Sequence, residues 1–434
     1  MKKKISRFIG KGSKRDTLVL TLATIVAQSI NLLAYPILSR LFTPADFGQF
    51  AVVGTFTEVF TAVCTLGYTR MIILAENQQS AANLAVLAIK TGLKSSLLFW
   101  LLFLPLSAWL GGVFNDPNFF WWMLLVPIIS ISVSIFLIYN EWCVYTKQYN
   151  RLSINKITNA GANSGTRLLV GLFNLFRSGG LIWSELFGRL FTATEIGITL
   201  ATNKKDHAVF SATTKEMQRQ LAVKYRKNAT YMLLSNALNI LKQYLPIIFL
   251  SIYFGKEFAG YFSMSSYILS VPMLFVGTAV GDVFRQKARE NYIKTGSFRP
   301  VLLKLVRFQM LIAIPFVILG FFVLDDIIVW VLGERWLIAG EFSLILLPYI
   351  AINFFASILM NAFIVTERLK LFWLINFFMF LATLSSLLVG VYLLNSVYQM
   401  LLLYTIFLCV VCISIIILAY IHSVDKNFNN HASK

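Results

Sequence analysis

Apolar runs and short charged breaks alternate along almost the whole chain. Phe119 to Ile138 contains no charged residue, and neither do Leu371 to Leu394 or Gln399 to Ile421. As helices, runs of about twenty residues cross a hydrocarbon layer of ~30 Å at ~1.5 Å per residue. A membrane barrel would instead show segments of about ten residues with strict alternation, one face to lipid and one to a polar lumen, and no such alternation occurs. Reading runs against breaks predicts twelve helical spans, near 17–39, 47–69, 81–110, 119–140, 153–176, 181–201, 228–253, 258–284, 306–324, 341–365, 371–394 and 398–421.

Composition and charge refine this reading. Hydrophobic residues make up 58% of the 434 and charged residues only 13%, yet the formal net charge is +19. That excess would fit a nucleic-acid binder until the cations are placed. With the N-terminus inside the cell, 28 of the 38 Lys and Arg fall on inside segments, 4 on outside loops and 6 within spans. This is the positive-inside bias, and an odd number of spans would break it in one half of the molecule. The excess is therefore topological, with membrane lipid as its natural partner and no nucleic acid implied. The basic N-terminus runs into a full-length span with no small-residue cleavage pattern, so it reads as a retained first helix. The cysteines, Cys64, Cys143, Cys409 and Cys412, lie in or beside apolar helices and read as packing residues; no metal site is expected.

The pattern also divides the chain. A basic cytoplasmic N-terminus over 1–16 precedes a first lobe of six spans over 17–201. A basic cytoplasmic linker over 202–227 leads to a second lobe of six spans over 228–421 and a cytoplasmic tail over 422–434. The lobes echo each other, since a shift of 212 positions lays Phe42 on Phe254, Gly48 on Gly260, Phe50 on Phe262, Thr24 on Asn236 and Asn31 on Gln243. Six spans per lobe is even, so both lobes insert the same way, as in transporters built from parallel repeats. The expected fold is an all-α polytopic membrane protein of about twelve transmembrane helices in two six-helix lobes.

Between the first two spans stands LSRLFTPADFG. Pro44 suits a turn start, Asp46 a helix cap and Gly48 close packing near the first turn. With Pro36, Leu38, Ser39, Arg40, Leu41, Thr43 and Phe47, this run resembles the polysaccharide-biosynthesis flippases of the O-antigen type, within the multidrug, oligosaccharidyl-lipid and polysaccharide exporter superfamily. ANLAVLAI at 82–89 and FGKEFAGYF at 254–262 look like that family too. The resemblance implies two lobes around a central cavity in a bacterial cytoplasmic membrane, with both termini cytoplasmic. It further implies flipping of undecaprenyl-diphosphate-linked glycan units, alongside other polysaccharide-assembly proteins. Arg40, Pro44 and Gly48 enter as structural motif residues.

Charges inside spans carry the chemistry. An ionic side chain near a helix centre costs about 2.5–3.5 kcal/mol on insertion scales, so a group of them calls for a reason. Arg167, Arg189, Lys242 and Lys94 fall at similar depth and are the expected cationic lining of a cavity that takes a diphosphate headgroup, Arg by its planar fork and Lys as a point charge. Structural pairing competes: Arg189 follows Glu185 by four residues on one helix face, and Lys156 and Lys90 can snorkel to the cytoplasmic interface. Thr24, Gln28, Asn31 and Tyr35 form a polar stripe on the first helix, and Asn236, Asn239 and Gln243 one on the seventh, each either cavity lining or helix-helix glue. Glu58 and Asp282 are the candidates for H+ or Na+ coupling; no other cofactor is expected. A cation exporter of the same superfamily remains the alternative and should favour buried carboxylates. A polysaccharide polymerase or ligase would need a long outer loop with convergent acids or bases, and neither that nor a P-loop or HExxH signature is present, so an enzyme is not expected.

Overall fold

Each of the twelve apolar runs is a helix in the computed structural model, which describes residues 11–176, 179–366 and 368–424. Six long helices come first: α1 (Lys11–Leu41), α2 (Pro44–Cys64), α3 (Gln78–Val113), α4 (Phe119–Tyr145), α5 (Tyr149–Leu172) and α6 (Gly180–Thr202). A short α7 (Lys204–Ser211) follows, then the long α8 (Lys215–Tyr253), α9 (Lys256–Thr295), α10 (Arg299–Leu332) and α11 (Leu337–Leu359). A one-turn α12 (Asn361–Val365), α13 (Leu369–Val389) and α14 (Val397–Ile421) complete the chain. Among the described residues the only β pairing is one bridge between Ser297 and Val424. Several helices overrun the apolar runs that announce them, α8 starting at Lys215 and α9 ending at Thr295. Hydropathy marks only the part that needs lipid, whereas the backbone hydrogen-bond ladder continues into water.

The chain divides into two units, Met1–Ile240 and Leu241–Lys434, and the division falls inside α8. In the first unit α1 lies along α5, α5 along α6, and α4 packs on α2, α3 and α6. In the second, α11 packs against α9, α10 and α14, and α13 against α14. Among the described residues nine helices are long and apolar enough to cross a membrane by length and composition. The three long helices that are not, α5, α6 and α9, carry more polar and charged residues. Two of those three hold the site.

The corner between α1 and α2 accounts for the letters of the opening motif. Thr43 is the N-cap of α2: its hydroxyl accepts from the Asp46 amide at 3.3 Å, and its own amide donates to the Asp46 carboxylate at 2.9 Å. Such a reciprocal box satisfies two of the donors that a helix start leaves open. Pro44 occupies the first turn, where its missing N–H costs nothing. Phe47 packs its ring 6.1 Å from Tyr35, and Gly48 is buried, while Arg40 is exposed. The next residue, Gln49, donates at 2.6 Å to the buried Asp116, which also accepts from the Trp122 indole at 2.9 Å. The motif thus ties three helices at one end of the first unit.

Residues 203–229, which take in nearly all of the linker expected over 202–227, are almost entirely helical and packed on the opposite end of that unit. Leu221, Tyr225 and Ala229 share one buried apolar cluster with Met71, Ile72 and the alanines 81, 82, 85 and 88 of α3. The small alanines, on one side of α3, leave room for the larger side chains of α8. Asn83, from the ANLAVLAI stretch, is wholly buried; its carbonyl oxygen accepts from the Thr214 amide at 3.0 Å and so sets where α8 begins.

Candidate functional site

The site grows from α5, a helix whose polar residues recur at three- and four-residue spacings: Lys156, Asn159, Asn163 and Arg167. A helix this polar is stable inside a bundle only if neighbouring helices answer its groups. On one side the partner is α1. Lys156 donates to the Thr24 hydroxyl at 3.1 Å, Ser164 donates to the Asn31 amide oxygen at 2.9 Å, and Tyr35 hydrogen-bonds Arg167. The three pairs share nearly one sequence offset, which is what two parallel helices in register produce. Thr24, Asn31 and Tyr35 of the first polar stripe therefore bond to α5. Gln28, half-buried on the same stripe, makes no side-chain hydrogen bond among the described residues.

On its other side α5 meets α6. Gly188 makes the approach possible, because a Cβ there would stand 2.5 Å from the Asn163 amide oxygen and 2.9 Å from the Asn163 Cα. With the helices this close, Glu185 accepts from two arginines, Arg167 Nη2 at 2.5 Å and Arg189 Nε at 2.7 Å. The three side chains retain only 11–18% of their exposure. Asn159 completes the arrangement, its amide oxygen accepting from Arg189 at 3.1 Å and from Asn163 at 3.0 Å. The Phe50 ring lies 5.0 Å from the Arg167 guanidinium carbon, a cation–π distance. Glu58 of α2 is half-buried and lies within the electrostatic reach of Arg189 and Glu185, not of a lysine from α3. Two guanidinium charges on one shared carboxylate leave this cluster at +1, and an ionised Glu58 brings it to zero.

Lys94 does not join these groups. It is exposed on α3, on the face that also exposes Leu97, Leu98 and Leu101. Sixteen residues of α3 precede Lys94 and nineteen follow it, so it stays near the middle of the helix but on this exposed apolar face. Lys90, one turn earlier, donates to the buried Gln218 of α8 at 2.9 Å.

In the second unit Lys242 extends from α8 to the Asn376 amide oxygen of α13 at 3.1 Å, with the Met379 sulfur at 3.6 Å. Asn376 is held in turn by donating to the Phe372 carbonyl at 2.9 Å. Among the described residues Lys242 has no carboxylate at ion-pair distance. Gln243, beside it, is exposed; Asn239 is exposed and Asn236 half-buried on the part of α8 that belongs to the first unit. The side chain of Asp282 lies outside the described residues. No cluster of three or more His, Cys, Asp or Glu side chains forms among the described residues.

Sequence reasoning passed over Asn159, Asn163, Phe50 and Asn376. The first two were legible, since Asn159, Asn163 and Arg167 at four-residue steps make a polar stripe on a spanning helix. Asn376 stands alone in an apolar run, and only the tertiary fold puts it under Lys242.

Residues 37–341 match the model of a family described as polysaccharide biosynthesis protein. None of the curated proteins matches the sequence. Among solved structures the chain is similar to an inward-facing multidrug resistance MATE transporter of the MOP superfamily, with TM-score 0.71 and 15% identity over 92% of this chain and 97% of that one. An outward-facing structure described in the same terms gives 0.63 at 14% identity, over 94% of each chain. A MOP superfamily transporter from Pyrococcus furiosus, described as having a binding pocket of reverse polarity, gives 0.61 at 15% identity over 94% of this chain and 95% of that one. At such identities the likeness establishes the fold, an all-helical membrane bundle of the MATE type.

Proposed function

From the premise that this chain belongs to the polysaccharide biosynthesis protein family, we propose that it is a flippase. Its cargo in this reading is an undecaprenyl-diphosphate-linked oligosaccharide, carried between the leaflets of a bacterial cytoplasmic membrane alongside other polysaccharide-assembly proteins. The observation that carries the proposal is the balance of interior charge. Arg167, Arg189 and Lys242 are all removed from full exposure, and among the described residues Glu185 is the one carboxylate ion-paired with any of them. Interior cations in excess of acids suit an anionic headgroup and oppose a cationic one. The sugar half of the reading rests on the family, the anionic half on these residues.

Lys242 is the group best placed to exchange its partners for a phosphate oxygen, because an amide oxygen and a thioether are weak competitors for an ammonium donor. The paired arginines act more as a fixed positive wall, since leaving Glu185 would strand a buried charge. Gln28, Asn236 and Asn239 of the first unit and, separately, Gln243 of the second are the polar side chains left to meet the cargo. In this reading Glu58 is the ion-coupling group. A proton or Na+ arriving there changes the charge of the arginine cluster by one, which couples ion entry to headgroup affinity during alternating access.

The test is the distribution of lipid-linked repeat units in cells lacking the protein. They should accumulate on the cytoplasmic leaflet, wild type should relieve the accumulation, and an equally abundant, correctly inserted K242M protein should not. Relief by K242M discards the headgroup role of that lysine. Absence of accumulation discards the flippase and favours the superfamily's other activity, export of small cations, for which Glu58 would be the binding carboxylate.

A further inference from the structure

A second concentration of charge lies outside the site. Residues 203–229 carry Lys204, Lys205, Lys215, Arg219, Lys224, Arg226 and Lys227, and all seven are exposed. A disordered linker would let such charges wander; here they are on a rigid mount. Asp206 on α7 is 1% exposed and accepts from Arg151 of α5 at 2.9 Å, as well as from Asn203. Gln79 donates to the Ala212 carbonyl at 2.9 Å, and the Tyr225 hydroxyl to the Leu74 carbonyl at 2.9 Å. Gly67 has φ +78°, and any Cβ there would stand 2.3 Å from the Ala229 carbonyl oxygen, so only glycine lets the turn lie against α8. The Tyr68 hydroxyl of the same turn donates to the Ala222 carbonyl of α8 at 3.2 Å.

The seven cations differ in depth. α6 ends at Thr202 and Asn203 is extended, so Lys204 and Lys205, two and three residues on, lie within ~11 Å of that helix end. The apolar span of α8 starts at Met232, which places Lys227 and Arg226 ~8–9 Å outside it at 1.5 Å per residue. The polar layer of a bilayer is about 5–8 Å deep on each side, and the screening length in physiological salt is about 8 Å. Arg219 and Lys215 lie ~20–25 Å beyond the span on the same helix, more than two screening lengths away. Lys224 is occupied by Glu76 at 2.6 Å. Four cations are left within side-chain reach of the headgroup layer and free of any ion pair among the described residues.

We propose that Lys204, Lys205, Arg226 and Lys227 form a fixed binding surface for the phosphate headgroups of anionic phospholipids in the leaflet that faces the linker. Charge complementarity identifies the occupant, and the continuity of α8 with its span sets its position. The surface is separate from the interior cations and holds whether or not the cargo is a lipid-linked sugar. Its work is to fix the linker end of the first unit against the membrane while the interior site is open or closed.

The test titrates detergent-purified full-length protein with phosphatidylglycerol and with phosphatidylcholine, reading bound lipid by native mass spectrometry at low and physiological salt. Wild type should prefer phosphatidylglycerol, more so at low salt, and K204Q/K205Q/R226Q/K227Q should lose that preference, by roughly five-fold for each cation removed at low salt. The variant K215Q/R219Q, on the same helix but deeper in water, should keep it. Equal loss in both variants, or no loss in the first, overturns the proposal. So does displacement of phosphatidylglycerol by an equal concentration of inorganic diphosphate, which would mark a site for free phosphate. Every substituted side chain is exposed, and an unchanged melting temperature checks that the mount is intact.

Discussion

In the first unit two arginines close on one carboxylate, whereas in the second Lys242 closes on an amide oxygen and a thioether. The two solutions answer the same cost, that of holding charge away from water, in opposite ways. A guanidinium keeps its proton under all ordinary conditions, so an interior arginine must be paired and hydrogen-bonded throughout. Arg189 has Glu185 and Asn159, and Arg167 has Glu185, Tyr35 and the face of Phe50. A lysine can be carried with neutral partners, because its compact ammonium can release them for a better one. The first arrangement builds a fixed field and the second an exchangeable contact. A transporter that must bind and then let go needs both.

Removing the shared carboxylate is the most severe way to break the comparison. Glu185→Gln leaves two guanidinium groups without their common counter-charge and facing each other, and loss of one partner of a buried pair costs about 3–5 kcal/mol. Thermal unfolding of the purified protein should show the largest drop of any variant discussed here. The double variant E185Q/R189Q should recover part of it, because only one uncompensated charge remains. No recovery would mean that Glu185 acts through packing and that the triad is not an electrostatic unit.

Next in size is Gly188→Ala. The new methyl meets the Asn163 side chain and, at 2.9 Å, its Cα, so α5 and α6 must part. Overpacking of this kind costs about 1–3 kcal/mol. Separation also lengthens both bonds to Glu185, so G188A should lower the melting temperature of E185Q by less than that of wild type. Equal losses in both backgrounds would show that the helix approach and the ion triad are independent.

Lys242→Met should cost under about 1 kcal/mol, or stabilise, since an apolar side chain of similar length replaces a buried charge that had no acid to lose. Transport should fall all the same. A K242M protein as unstable as E185Q would erase the distinction between a fixed field and an exchangeable contact.

How much of this was legible in the sequence depends on the range of the interaction involved. Spans are local, because hydropathy over twenty residues reports transfer to lipid: each of the twelve runs is helical, and among the described residues nine of the helices are apolar and long enough to cross a membrane. The capping of α2 was partly legible for the same reason: Asp46 was read as the cap, and the N-cap is Thr43 one turn earlier, with Asp46 as its reciprocal partner. The pairing of Arg189 with Glu185 was open as one of two readings, being a four-residue spacing. The second claim on Glu185, from Arg167 eighteen positions away, depends on how closely Gly188 lets two helices pack, and no spacing rule reports that. The packing of the linker was not legible for a different reason. The buried stripe of Leu221, Tyr225 and Ala229 lies among its many charges and is recognisable only once α3 supplies its alanines. Lys94 was assigned to the cavity from its depth in an apolar run, and depth does not report which face of α3 it occupies: it lies among the exposed Leu97, Leu98 and Leu101.

The smallest effect calibrates the rest. Lys224 and Glu76 meet at 2.6 Å, as close as the interior pairs, but retain 48% and 71% of their side-chain exposure. Distance alone would rank this pair with Glu185. Solvent screening predicts otherwise, and Glu76→Gln should leave the melting temperature unchanged within error at neutral pH and physiological salt. The hydrogen bond from Lys224 to Glu76 raises the lysine pKa above its ordinary value of 10.5. Whatever the pair contributes is therefore complete below that pH and disappears as pH rises through the raised value. Comparing E76Q with wild type on either side of that range, at low salt where screening is weakest, should show a small difference that vanishes on the alkaline side. A large loss at neutral pH would mean that separation and not burial sets the strength of these pairs, and the contrast between Glu185 and Lys242 would then need another cause.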